Sequence, residues 1–190
     1  MLNKKYFQKV RGDLLNYAGV HREVIKICGD AQHLAKKAIF AMQRDGGKDA
    51  DKLLEQARAL LAGLQKKHAK DSRVFDEGAY KAAMEEFAEA ALFSEYLRGE
   101  EMGEIKNLNV SSESFVGGLC DVPGELLRYA IKSATEKDFK KVKKCFDAAD
   151  AVLRELMDMD LTGYNRQKFD QAKQAWYKLE QVAYEVSMKG

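Results

Sequence analysis

Four acidic residues stand at two helical spacings in this chain: Glu86 and Glu89 in EEFAEAALF, and Asp121 and Glu125 in GLCDVPGELLR. Residues three or four apart share one face of an α-helix, so each pair can aim two carboxylates at one point. Two such pairs on neighbouring helices would form an all-oxygen pocket, the donor set that Mg²⁺ or Mn²⁺ prefers. The competing reading is a solvated or salt-bridged face. Charged residues make up 33% of the sequence, and acid pairs at helical spacing recur by chance in such chains.

Helical phase separates the two readings for the first pair. At about 100° per residue, Lys81, Glu85, Leu92 and Glu95 form the stripe expected to face water. Ala83, Phe87, Ala90, Ser94 and Leu97 form the opposite, core stripe. Glu86 and Glu89 belong to neither and lie on a flank between Ala82 and Phe93. A carboxylate there loses solvation unless a metal or a buried partner compensates it.

The second pair sits on a stripe of Ser114, Gly117, Gly118, Asp121, Glu125, Arg128 and Lys132, beside an apolar side of Phe115, Leu119, Val122, Leu126 and Ala130. Pro123, the single proline of the chain, removes a helix hydrogen bond and is expected to kink this segment. The glycines imply close approach to another helix or a ligand. An ion-pair ladder from Glu125 to Arg128 is one reading. The other is a metal-binding carboxylate pair with cations beside it to hold phosphate oxygens.

The elements that must position these residues are helices. The sequence spacing predicts a first helix over about Lys4–Arg44, with Gly19 and Gly29 as candidate bend points, ended by Asp45-Gly46-Gly47. Further helices are expected over about Asp49–Lys70, Phe75–Arg98, from an N-cap at Ser111 or Ser112 to about Thr135, Lys137–Met157 and Asn165–Met188. GEEMGEIKNLNV is the least regular stretch, and no segment combines strand alternation with turn signals. The expected fold class is all-α, an antiparallel bundle of six to seven helices forming one domain over 1–190.

Composition narrows the function further. A net charge of +2 is too small for whole-surface nucleic-acid binding, so any phosphate-binding face must be local. Lys66, Lys67, His68, Lys70 and Arg73 cluster where the second helix ends. Complementation of the helix dipole accounts for them, and nucleic-acid contact is the alternative. Cys28, Cys120 and Cys145 are odd in number and lack a CxxC, which points to reduced thiols in a cytoplasmic protein. No run approaches a membrane span, and the start MLNKKYFQKV lacks the apolar stretch of a signal peptide. None of the three histidines has a glutamate three residues before it, as the Glu-x-x-His of a ferritin-like di-metal site requires, and neither zinc spacing nor a P-loop is present.

HREVIK, EEFAEAALFSEYL, FVGGLCDVPGELLRYAI and NRQKFDQAKQAWYKLEQVAYEVSMKG together resemble the translin family. Within it they are most similar to the translin-associated factor X (TRAX) branch. The resemblance implies a helical protomer that assembles into a hollow octameric barrel binding single-stranded RNA or DNA. It also implies an Mg²⁺-dependent (or Mn²⁺-dependent) endoribonuclease site facing the interior, with Glu86, Glu89, Asp121 and Glu125 in the places of the family's four catalytic, metal-binding carboxylates. Translin itself carries non-acidic residues where this chain has Glu86, Glu89 and Asp121. It also has a basic, histidine-rich stretch before the third helix, where this chain has the acidic FDEGAYK.

That departure shifts the expected nucleic-acid contacts to Arg128, Lys132, Lys66, Lys67 and Arg73. A homo-octamer is expected because one chain carries all four carboxylates, with a translin-like partner as the alternative. Two rival functions remain: a non-catalytic barrel that binds single-stranded RNA or DNA, and a helical scaffold for protein partners.

Overall fold

In the computed structural model, which describes residues 1–188, seven helices and no strand form the described chain. They are α1 (Lys4–Met42), α2 (Gly47–Lys67), α3 (Arg73–Asp76), α4 (Gly78–Arg98), α5 (Ser112–Thr135), α6 (Phe139–Met157) and α7 (Gly163–Ser187). The last two residues of the family-like ending, Lys189 and Gly190, lie outside the described residues.

The helix ends follow from local chemistry. Asn3, Ser111 and Asp138 cap α1, α5 and α6 by accepting from the backbone N–H three residues on, at 3.1, 3.2 and 3.1 Å. Asp45 adopts φ 60°, and the Gly46 N–H then donates to the Ala41 carbonyl at 2.9 Å, closing α1 two residues before Arg44 can extend it. Gly99, at φ 72°, ends α4.

The expected third helix is in fact two. Glu77 takes an extended conformation (φ −62°, ψ 132°), separating α3 from α4. Its carboxylate accepts from the Tyr17 hydroxyl at 2.6 Å and is bound by His21 Nδ1 at 2.8 Å. These bonds from α1 hold its pKa below the usual carboxylate range and give the break a tertiary anchor. α1 runs unbroken through Gly19 and Gly29, and α5 stays helical through Pro123.

α4 and α5 are the central pair. α1 and α2 pack on the α4 side, and α6 and α7 pack on the α5 side. Phe87, Phe93, Leu92, Leu126, Leu61 and Leu156 are fully buried between these layers. The three cysteines are free and buried, as small core residues. Among the described residues, no helix is long and apolar enough to cross a membrane.

Packed on both sides, α4 has almost no water-facing stripe. Leu92 is fully buried and Glu85 is only 9% exposed, against the expectation for both. Of the core stripe, Ala83, Phe87, Ala90 and Ser94 are buried as the phase requires, and Leu97, near the helix end, is half-buried. Gly117 and Gly118 let α5 lie against Glu85 and its backbone. A Cβ at Gly118 would sit 2.6 Å from the Glu85 carbonyl oxygen, and one at Gly117 would sit 2.8 Å from the Glu85 carboxyl carbon.

Candidate carboxylate site

All four sequence-identified carboxylates line one cavity of about 660 Å³ between α1, α4, α5 and α7. Glu86 and Glu89 come from α4, Asp121 and Glu125 from α5, and Pro123 does not separate the α5 pair. Ile39, Phe40, Ala172 and Ala175 supply the apolar lining. Glu89 and Glu125 are 7% and 3% exposed, and both acids thus forgo most of their hydration.

The protein compensates three of these carboxylates itself. Lys36 Nζ lies 3.5 Å from Glu86 Oε2, and Arg128 Nη1 lies 3.2 Å from Glu125 Oε1. Gln43 Nε2 donates to Glu125 Oε2 at 3.0 Å and to the Glu125 carbonyl at 2.9 Å. Lys168 bonds Asp121 Oδ2. Burial lowers the Lys168 pKa, but the bond to Asp121 and the charges around it outweigh that and hold the ammonium protonated.

Among the described residues, Glu89 has no cation of its own. Burial first, then the charges of Asp121, Glu125 and Glu86, push its pKa up to about 9, so near neutral pH it holds a proton. Glu86 is also raised, by burial that the Lys36 ammonium only partly offsets. Among the described residues, no three carboxylate, imidazole or thiol groups stand already arranged as a metal cage. The donor set nonetheless fits a hard divalent cation. It consists of four carboxylates in one cavity, and one carries a proton that a positive ion would expel.

The basic candidates are less concentrated. Arg128 lies in the cavity wall with its side chain 70% exposed. Lys132, one turn on, instead pairs with Asp45 and, at 3.7 Å, with Glu136. Lys67 pairs with Glu23. Arg73 bonds Asp71 at 2.9 Å, reaches Asp13 at 3.3 Å and covers the Tyr17 ring at 4.2 Å. Lys66 is exposed at the end of α2. None of Lys66, Lys67, Arg73 and Lys132 lines the cavity.

Lys36, Gln43, Tyr164 and Lys168 belong to this site or its support, and no local spacing marks them. Glu85 joins them on the far side of Lys168. Its Oε2 accepts from the Tyr164 hydroxyl at 2.9 Å and lies 3.6 Å from Lys168 Nζ. Gly117-Gly118 is the one signal in the chain that pointed there, because two adjacent glycines on a carboxylate-bearing helix imply that a neighbour presses close.

Comparison with known proteins agrees with this architecture. AfC3PO superimposes with a TM-score of 0.88 at 23% identity, covering 97% of this chain and 98% of that one. A complex of AfC3PO with duplex RNA gives 0.86 at 22% identity, covering 97% of each chain. Apo-NeC3PO gives 0.85 at 19% identity, covering 98% of each chain. Comparison with the curated proteins finds no match. The Translin family model matches residues 19–190, which include α4, α5, α7 and all four carboxylates. By that match over most of its length, the chain belongs to the Translin family.

Proposed function

We propose that this protein is a metal-dependent endoribonuclease of the TRAX-like branch, hydrolysing phosphodiester bonds of RNA inside a closed homo-oligomer. The observation that carries this reading is the single cavity in which Glu86, Glu89, Asp121 and Glu125 converge beside the exposed guanidinium of Arg128. The four carboxylates would hold Mg²⁺ or Mn²⁺. When bound, such an ion polarises the phosphate and lowers the pKa of a water molecule.

The chain's own groups do the rest. Arg128 and Lys36, at the cavity wall, offer hydrogen bonds to phosphate oxygens. Glu125 accepts the proton of the attacking water. Gln43 and Arg128 each occupy one acceptor position on its two carboxylate oxygens and leave others open. The sequence carries no recognisable base-reading motif, so sequence preference is expected to be weak.

The test is incubation of purified protein with labelled single-stranded and duplex RNA, with Mg²⁺, with Mn²⁺ and with chelator. Both RNAs belong in it. Enclosure favours flexible single strands, whereas AfC3PO has been solved with duplex RNA. Cleavage with either metal and none in chelator is expected. Intact RNA under every condition, with binding that survives chelation, would instead support a non-catalytic RNA- or DNA-binding barrel. That second reading is favoured by one observation: Lys36, Arg128 and Lys168 already neutralise three of the four acids.

The assembly has its own test. Tyr6, Phe7, Val10, Leu14 and Leu15 on α1, and Tyr177 and Tyr184 on α7, are exposed in the single protomer. Apolar surface of this kind is covered by other copies in an oligomer, and we expect an octamer in the cytoplasm without need of a translin-like partner. Light scattering at micromolar concentration that found only monomer would sink this expectation.

A further inference from the structure

We infer that Lys168 is a built-in counter-ion of Asp121 that transfers to Glu85 when Asp121 takes a divalent cation, so that Glu85 and Tyr164 set how strongly the carboxylate cavity holds its metal. This inference rests on the reading of that cavity as a metal site and deepens it. It concerns residues outside the four-carboxylate set.

The geometry is specific. Lys168 Nζ bonds Asp121 Oδ2 and lies 3.6 Å from Glu85 Oε2, bridging the two acids. Asp121 lines the cavity and Glu85 does not. The ammonium therefore stands between the cavity and a carboxylate behind it. The Lys168 side chain is only 14% exposed and that of Glu85 11%. An ammonium released from Asp121 has little water to receive it, and a buried cation without a partner is strongly disfavoured. Glu85 is the acceptor already within reach.

Glu85 is also held ready. The Tyr164 hydroxyl fixes the same oxygen, Oε2, that faces Lys168. The carboxyl group sits in a notch of α5 that exists because residue 117 has no side chain. Glu85, Tyr164 and Lys168 come from α4 and α7, and Asp121 comes from α5. The arrangement is tertiary and not an incidental pair along one helix.

The exchange has a thermodynamic signature. A cation competing for Asp121 weakens metal binding, and a second carboxylate that accepts that cation restores it. Through-space attraction between Glu85 and the metal would also strengthen binding, but it would not depend on Lys168. A double-mutant cycle separates the two.

The experiment measures Mn²⁺ affinity by calorimetry for the wild-type chain, Lys168→Met, Glu85→Gln and the double variant. Charges of this kind at about 4 Å in a partly buried site justify an effect on the order of tenfold. Lys168→Met should bind Mn²⁺ about tenfold more tightly than wild type, and Glu85→Gln about tenfold more weakly. In the Lys168→Met background, Glu85→Gln should change affinity by less than about twofold. Equal weakening by Glu85→Gln in both backgrounds, or none in either, overturns the inference and leaves the metal site intact.

Absence of Mn²⁺ binding in both the wild type and Lys168→Met overturns the metal reading itself, and the inference with it. Lys168→Arg guards against a variant that fails to fold, because it keeps both ion pairs. Its forked guanidinium should hold Asp121 and Glu85 together and weaken Mn²⁺ binding. Unchanged affinity there counts against the exchange.

Discussion

On the proposed metal-dependent reaction, Glu89→Gln should lower RNA cleavage by at least about 100-fold, because it removes one charge from the group proposed to place the metal. In the metal-free protein the same change should raise stability at alkaline pH. Glu89 is 7% exposed, and burial with three neighbouring acids raises its pKa to about 9 from an ordinary 4.5. The folded state thus retains a proton that the unfolded chain has already released. Stability from this group is fully present below about pH 4.5 and is lost as pH rises towards 9.

In chelator, the melting temperature of the wild type should therefore fall across that window, and Glu89→Gln should flatten the fall. The gap at pH 8 should be on the order of 2–4 kcal/mol. Excess Mn²⁺ should remove most of the wild-type slope, since a divalent ion replaces the proton. The check is a set of thermal melts from pH 5 to pH 9 with chelator and with Mn²⁺. Parallel wild-type and Glu89→Gln profiles in chelator would show that Glu89 is not a protonated acid of the folded state.

Gly118→Ala should be the most damaging single methyl in the chain. Its Cβ would stand 2.6 Å from the Glu85 carbonyl oxygen, 2.7 Å from Ala88 Cβ and 2.8 Å from the Glu89 amide nitrogen. Two of the three are backbone atoms of α4, so relief requires α4 and α5 to separate. Overpacking of this kind costs about 2–3 kcal/mol. For a chain of this length that is a fall of roughly 5–10 °C in melting temperature. Gly124→Ala, on the same helix, has open space within 4 Å and serves as the control. It should leave the melting temperature unchanged or raise it, since alanine is the better helix former. Metal binding should weaken in Gly118→Ala beyond what stability explains, because Glu89 and Asp121 lie on the two helices being parted. If both variants melted together, the close packing at Gly118 would not be a constraint.

Periodicity located Glu86 and Glu89 on the right flank of α4 because that flank borders Ala82 and Phe93, and both acids do line the cavity. The same phase misplaced Glu85. It assumed that one side of α4 meets water, whereas α1, α2 and α5 surround the helix. Leu92 in that supposed wet stripe was the contrary sign, and it is fully buried. The α3–α4 break escaped notice because Glu77 is a good helix former, and what ends the helix there is a pair of bonds from Tyr17 and His21, some sixty residues earlier. Lys36, Gln43 and Lys168 were illegible for the same reason. Each reaches its acid across 47 to 82 positions of sequence, and no local spacing encodes such a contact. In the Lys66–Arg73 cluster, Asp71 is the one partner near in sequence; Glu23, which pairs with Lys67, and Asp13, which reaches Arg73, lie far off on α1.

α1 is one helix with two fates. Val24 is its first fully buried residue, so about half of its length is exposed or only half-buried within the protomer. Tyr17 and His21, bonded to Glu77, fasten only the end of that overhang. Beyond them the exposed Asp13–Arg73 pair adds little, and a helix held mainly by its own backbone bonds is marginal in water. In a lone protomer this arm is expected to fray more readily than the buried half of α1, and a surface that covered Phe7, Val10 and Leu14 would order it. In the proposed oligomer, part of the work of association would therefore go into winding the arm, making protomer contact a folding event as well as a docking event.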